Sequence, residues 1–430
     1  MKTEIKFIEG GVTAPEGFTA NGILCGIKPG RKTNDTALIF SDRPCAAAGV
    51  FTTNRVKAES VKLTMRNLAD GKAQAAIASS GNANACTGEK GAENARRMAA
   101  AAADSLGIKP EDVIVCTTGV IGQQMDVSKI EAKIGELKAG LSKEGHAQAR
   151  TAIMTTDTNF KECAVEFELH GKKIRMGTMC KGSGMIHINM GTMLSFITTD
   201  CAISSEMLSK ALRYSIEETY NCVSVDGDTS TNDTLTAMAN GEAGNPEITD
   251  EGEDFGIFLA AMNRMNTVMA MKIAADGEGA SRLIECTVKG AKDSKTARKI
   301  AKEVIGSNLV KAAMFGKDAN CGRILCAMGY SGCEFTPEKT SVFFSSRKNA
   351  ERYFSGYENF SVAADDSCGE SIEVIHDGVG LDFDEEKAAR ILGEQAVEIL
   401  VVLDDGDAEG KAWGCDLTYD YVKINGDYRT

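Results

Sequence analysis

The densest chemistry in the chain lies in Lys181-Gly-Ser-Gly-Met-Ile-His-Ile-Asn-Met-Gly-Thr192, which sets a cation, three glycines and a hydroxyl residue ahead of the apolar run Met193-Leu-Ser-Phe-Ile. A Gly-Thr pair before such a run ordinarily makes a turn and opens a strand. A second chemistry opens if the Gly191–Thr192 peptide bond breaks. A threonine hydroxyl is a weak nucleophile that needs an adjacent base, and a threonine at a chain terminus carries one in its own α-amine. That amine titrates near ~7.7–8.0, so a useful fraction is unprotonated at neutral pH. Gly191, lacking Cβ, tolerates the strained backbone that attack on its carbonyl requires.

Four other segments carry polar groups at fixed spacing. Ser80-Gly-Asn-Ala-Asn-Ala-Cys-Thr-Gly88 follows the buried-strand pattern Ala75-Ala-Ile-Ala78, a position that suits pocket lining as well as turn geometry. Val113-Ile-Val-Cys116 reads as a second buried strand ending at Thr117-Thr-Gly119. A Thr-Gly step there is either a plain turn or a pair of outward N–H groups of the kind an oxyanion hole needs. Asp226-Gly-Asp-Thr-Ser-Thr-Asn-Asp233 lacks EF-hand spacing and its terminal glutamate, and reads as a hydrogen-bonded turn supporting a site. Glu278, between Gly277 and Gly279, is a solvated turn residue or a carboxylate for an amine-bearing substrate.

The elements that must position these groups read as α/β. Residues 1 to 60 are predicted as short strands, and 163 to 180 as a hairpin turning at His170-Gly-Lys-Lys173. Thr155 is expected at a strand end. Helices are expected over roughly 91–106, 205–220, 255–273, 293–305 and 385–403, and from Ser128, where Glu131 completes a capping box. The loop Phe315 to Arg323 is expected to frame the pocket, and 404–420 to be a solvated hairpin surface.

Composition narrows the function. At 430 residues with 43% hydrophobic content the chain builds a sizeable core. A net charge of −13 and a pI near 5.0 disfavour nucleic acid or an anionic membrane as partner. No long apolar run or signal-type start is evident, so the expected compartment is the cytoplasm. The fourteen cysteines form no C-x-x-C pair and the four histidines are scattered, so no metal is expected and the cysteines read as reduced core residues.

The six segments Ser80–Gly88, Thr117–Gly119, Lys181–Leu194, Asp226–Asp233, Asp276–Gly279 and Tyr421–Thr430 together resemble, in order and over nearly the whole chain, the ornithine acetyltransferase family, the glutamate N-acetyltransferases of arginine biosynthesis. The resemblance implies an N-terminal-nucleophile-type architecture, with layered sheets flanked by helices, like that of the DmpA and ornithine acetyltransferase proteins. It implies self-cleavage at Gly191–Thr192 into an α chain (1–191) and a β chain (192–430) that interlock in one catalytic unit, commonly as two αβ pairs. Thr192 would be the nucleophile, Thr118 and Gly119 the oxyanion hole, and Thr155, Lys181, Thr192, Glu278, Asn425 and Thr430 the substrate-binding residues. Acetyl would pass from N-acetylornithine to glutamate with no cofactor. Many members also use acetyl-CoA as a co-substrate, and the sequence does not separate the two types. Two departures stand out. His187-Ile188 replaces an expected small-residue-and-proline pair, and Gly191 stands where alanine is commoner. The alternatives are an N-terminal-nucleophile amidohydrolase or aminopeptidase, and an uncleaved non-enzymatic binding protein.

Overall fold

The computed structural model describes residues 4–187, 193–348, 353 and 368–427. Gly191, Thr192 and Thr430 lie outside the described residues, as does Ile188.

The apolar and alternating segments assemble into two large sheets and a two-stranded ribbon, with helices packed on and between them, the layered α/β arrangement expected. The first sheet has nine strands, ordered Lys6–Ile8, Lys161–Leu169, Lys172–Lys181, Leu194–Thr199, Thr234–Ala239, Thr36–Phe51, Lys72–Asn82, Val113–Val120, with Phe18–Ile23 also pairing on Thr36–Phe51. Its backbone is the 16-residue strand Thr36–Phe51, one long element where several short strands were expected. The register with Lys72–Asn82 shifts between Phe40 and Cys45, next to Pro44, and such an irregularity bends a strand. The sheet therefore closes over itself. Ala76, Ala78, Ile114 and Cys116 from one arm share a core with Met179, Leu194, Phe196 and Met238 from the other.

The second sheet is ordered Val379–Gly380, Cys368–His376, Ser341–Arg347, Ala396–Val402, Leu283–Ala291, Ala408–Cys415. The helix Glu253–Ala275 is apolar nearly all round, burying Phe258, Met262, Met265, Met269 and Ile273, and it touches strands of both sheets. Two acidic residues in its first turn suit the helix dipole.

Several local expectations fail, each for a physical reason. The expected helix over 385–403 is an eight-residue helix, Glu385–Leu392, followed by the strand Ala396–Val402. That run, Ala-Val-Glu-Ile-Leu-Val-Val, is β-branched and central in its sheet, where a short apolar segment reads the same for either element. Residues 408–415 are no solvated hairpin. They form an edge strand whose Trp413 and Cys415 are buried. The capping box at Ser128 does not form: Ser128 Oγ bonds Asp126, and Glu131 instead makes a two-pronged ion pair with Arg97 of the neighbouring helix. Residues 146–153 are a helix, so Thr155 follows a helix rather than ending a strand. Phe315 packs edge-on against Tyr419 and Arg323 bonds the Leu309 carbonyl, so that loop frames no active pocket.

Candidate active site

The closed-over sheet brings three strand ends abreast. Lys181 is paired with Leu194, and Leu194 with Thr234, in adjacent strands. The Thr234 N–H donates to the Met193 carbonyl at 2.8 Å, which fixes the backbone one residue beyond Thr192. The end of the Val113–Val120 strand arrives from the other arm. A cavity of about 370 Å3 lies between them, walled by Thr118, Gly119, Thr155, Lys181, Glu278 and Asn425. These are all of the expected site residues that fall within the described chain. Met193 and Leu194 also reach it.

Each wall residue has a local cause. Gly119 adopts a φ of +133°, and a Cβ there would come within 2.4 Å of the Gly81 carbonyl carbon on the adjoining strand. Only glycine lets the two backbones meet so closely. Asn232 clamps this corner: its buried Nδ2 donates to the Ala83 carbonyl at 2.6 Å and the Thr117 carbonyl at 2.8 Å. Asp226–Asp233 and the strand that follows it therefore hold both the Met193 strand and the Thr118–Gly119 pair. Asp226 of the same segment accepts the Met185 and Ile186 N–H groups at 2.6 and 2.8 Å, capping the turn before the Gly191–Thr192 bond.

The charges in the cavity are opposed. Lys181 is 7% exposed, and among the described residues it makes no hydrogen bond or ion pair. An ammonium set in a cavity wall without a bonded counter-charge suits a ligand that brings one. The neighbouring Asp233 does not serve, because burial, opposed by Ser230 and Lys181, pushes its carboxyl well above the usual range and favours the neutral form. Glu278 is also 7% exposed and accepts from Asn425 Nδ2 at 2.8 Å, so the tail helix Tyr419–Gly426 closes on the pocket as expected. The Glu278 N–H donates to the Ser183 carbonyl at 3.1 Å, tying this turn to the Lys181 strand.

Gly184 completes the fit. A Cβ there would fall 2.2–2.4 Å from the Glu278 carboxyl. The carboxyl is the far end of a flexible side chain, so it can swing away with little cost to folding. Gly184→Ala is therefore expected to lower kcat/KM by at least about tenfold while leaving the melting temperature within roughly 2 °C, measured by steady-state assay and thermal melt.

His187 has a structural account. Its Nδ1 lies 3.0 Å from Ser224 Oγ across the short Ile186–His187 strand, and its carbonyl accepts from Thr229 Oγ1 at 3.1 Å. Burial, aided by the Lys302 charge, pushes its ring down to about 4, so it is neutral at physiological pH. Below the imidazole's ordinary 6.5 the unfolded chain takes up a proton that the folded one refuses, so His187 costs stability as pH falls from 6.5 towards 4. Denaturant midpoints should fall across that window, and His187→Gln should flatten the fall.

Sequence reasoning missed Thr156, Ser230, Asn232 and Asp233 as cavity wall. The last three sat in a segment read only as a supporting turn, and their number of hydroxyl and amide groups was the available signal.

The ArgJ family model matches residues 19–430. The arginine biosynthesis bifunctional protein ArgJ of Symbiobacterium thermophilum is 47% identical over 427 residues, 99% of this chain and 100% of that protein. The protein of the same name from Caldanaerobacter subterraneus subsp. tengcongensis is 46% identical over 426 residues, again 99% and 100%. Among solved structures, the arginine biosynthesis bifunctional protein argJ of Bacillus halodurans is 41% identical, covering 54% of this chain and 97% of its own, with a TM-score of 0.46.

Proposed function

Because the chain belongs to the ArgJ family, we propose that it transfers the acetyl group of N2-acetyl-L-ornithine to L-glutamate in arginine biosynthesis, through an acetyl ester of Thr192. The observation that carries this reading is the pairing, in one cavity beside Met193, of an unpartnered buried Lys181 with a buried Glu278. Such a pocket suits a small molecule bearing both a carboxylate and an amine.

The precursor first cleaves itself. The Thr192 hydroxyl adds to the Gly191 carbonyl, the amide C–N bond breaks as its nitrogen is protonated, and water hydrolyses the resulting ester. Chains 1–191 and 192–430 remain interlocked, since two strands of the second lie between strands of the first in the first sheet. The freed α-amine then takes the hydroxyl proton as Oγ attacks the acetyl carbonyl, and gives it to the departing ornithine nitrogen. Peptide N–H groups at Thr118 and Gly119 stabilise the oxyanion, about 3–4 kcal/mol for each donor by analogy with other acyl transfers. Ornithine leaves, and the glutamate amine attacks the ester and releases Oγ. Lys181 pairs with the α-carboxylate common to both substrates, Glu278 with ornithine's amine, and Thr155, Asn425 and Thr430 complete the contacts. No cofactor enters this chemistry.

The relatives are named bifunctional, and acetyl-CoA serves here as a second acetyl donor to glutamate. The enzyme works in the cytoplasm as two α and two β chains. Incubation of the purified protein with N-acetylornithine and glutamate should yield ornithine and N-acetylglutamate in equal amounts by ping-pong kinetics. Free acetate without N-acetylglutamate would sink the reading in favour of a hydrolase.

A further inference from the structure

Beside the cavity lies a buried ionic cluster. Lys161 is 1% exposed, and its Nζ sits 2.8 Å from Asp157 Oδ1 and 2.5 Å from Asp276 Oδ2. Asp157 Oδ1 also accepts the Gly182 N–H at 2.7 Å and Asp157 Oδ2 the Thr155 N–H at 3.0 Å. Asp276 accepts the Thr158 N–H at 3.1 Å and Asn159 Nδ2 at 3.2 Å, and its carbonyl takes the Ser183 hydroxyl at 2.6 Å. The cluster thus touches the residue after Lys181 and Thr155 itself, and its member Asp276 stands two residues before Glu278.

Two carboxylates face one ammonium, and the second ammonium within electrostatic reach is that of Lys181. Burial alone would push the Asp157 carboxyl up, but the Lys161 and Lys181 charges outweigh it and hold it well below the usual carboxylate range. Asp157 is therefore ionised and lies within electrostatic reach of the Lys181 side chain. What keeps the two apart is that Asp157 is already bonded to Lys161.

We infer that Lys161 is a positioning residue for substrate binding: by holding Asp157 in an ion pair it keeps Lys181 unpaired, so that the Lys181 ammonium is available to a substrate carboxylate. The inference rests on the proposed role of Lys181. Without the Lys161 charge, Lys181 is the ammonium left within reach of Asp157, and it pairs with that carboxylate instead of the substrate. The consequence is a binding defect for both substrates, since both present a carboxylate.

The test uses the full-length, self-processed protein and reads KM for N-acetylornithine and for glutamate separately from kcat. Lys161→Met is expected to raise both KM values at least about tenfold. The double variant Asp157→Asn with Lys161→Met removes the competitor together with its neutraliser, and should return both KM values to within about threefold of wild type, whatever happens to kcat. Loss of packing would not be repaired by a second substitution next to the first. If Lys161→Met alone does not fold, the double variant still decides: a folded protein with near-normal KM supports the role. Unchanged KM in Lys161→Met, a double variant as impaired as the single, or a double variant that does not fold each overturns it. A wild-type protein that fails to make N-acetylglutamate counts against the proposed function, which is a separate result.

Discussion

Thr192→Ala should give a chain that runs as one species at the full 45.7 kDa in a denaturing gel, while the wild type runs as two of about 20 and 25 kDa, its 191- and 239-residue shares. Turnover should fall more than about 10³-fold. The same hydroxyl is asked to break the Gly191–Thr192 bond and to carry the acetyl group, so one substitution removes both activities. Thr192→Ser keeps a hydroxyl and should still give two bands with reduced turnover. The surrounding geometry is expected to survive, because Met193 is held by the Thr234 N–H and Thr118–Gly119 by Asn232, neither through residue 192. Two bands in Thr192→Ala, or one band in an active wild type, would end the nucleophile assignment.

What could be read from the residues divides along the range of the forces involved. Elements set by local periodicity were legible: the helices Ser205–Glu218, Glu253–Ala275 and Ser294–Gly306 fall where their apolar spacing puts them, and the 161–181 hairpin turns at His170-Gly171. Ala396–Val402 was not, because an apolar run of seven fits a helix or a strand until its neighbours are known. The ion pairs were beyond reach for the same reason. Glu131 looked like a capping residue to its own helix, and its partner Arg97 comes from another. Lys161 and Asp276 are 115 residues apart. The site was legible through resemblance more than through chemistry. Taken alone, Thr118, Gly119, Glu278 and Asn425 are turn and tail residues, and only the bending of Thr36–Phe51 puts them around one cavity. His187 ran the other way. It stood out in the sequence only as a departure from the family's segment and is a neutral, Ser224-bonded residue four positions before Gly191.

Lys181→Met separates a binding lysine from a structural one. In the protein without substrate, Lys181 makes no hydrogen bond or ion pair among the described residues, so its removal breaks none, and methionine replaces its stem at similar volume. The melting temperature should stay within about 4 °C of wild type. Catalysis should suffer heavily. A carboxylate entering a cavity that is largely out of water needs a counter-charge, and losing it costs about 2–4 kcal/mol, or roughly 30- to 1000-fold in kcat/KM for N-acetylornithine and glutamate alike. Glu278 then stands in the wall without its opposite charge, so the carboxylate meets repulsion as well as desolvation. Lys181→Arg should not restore activity, since a guanidinium is larger and flatter than the ammonium the pocket encloses. Lys161→Met is the control with the opposite expectation for stability, because there a paired charge is removed and two buried carboxylates are left behind. If Lys181→Met melts far below wild type, or if its kcat/KM is unchanged for either substrate, the lysine is a structural residue and the carboxylate is recognised elsewhere.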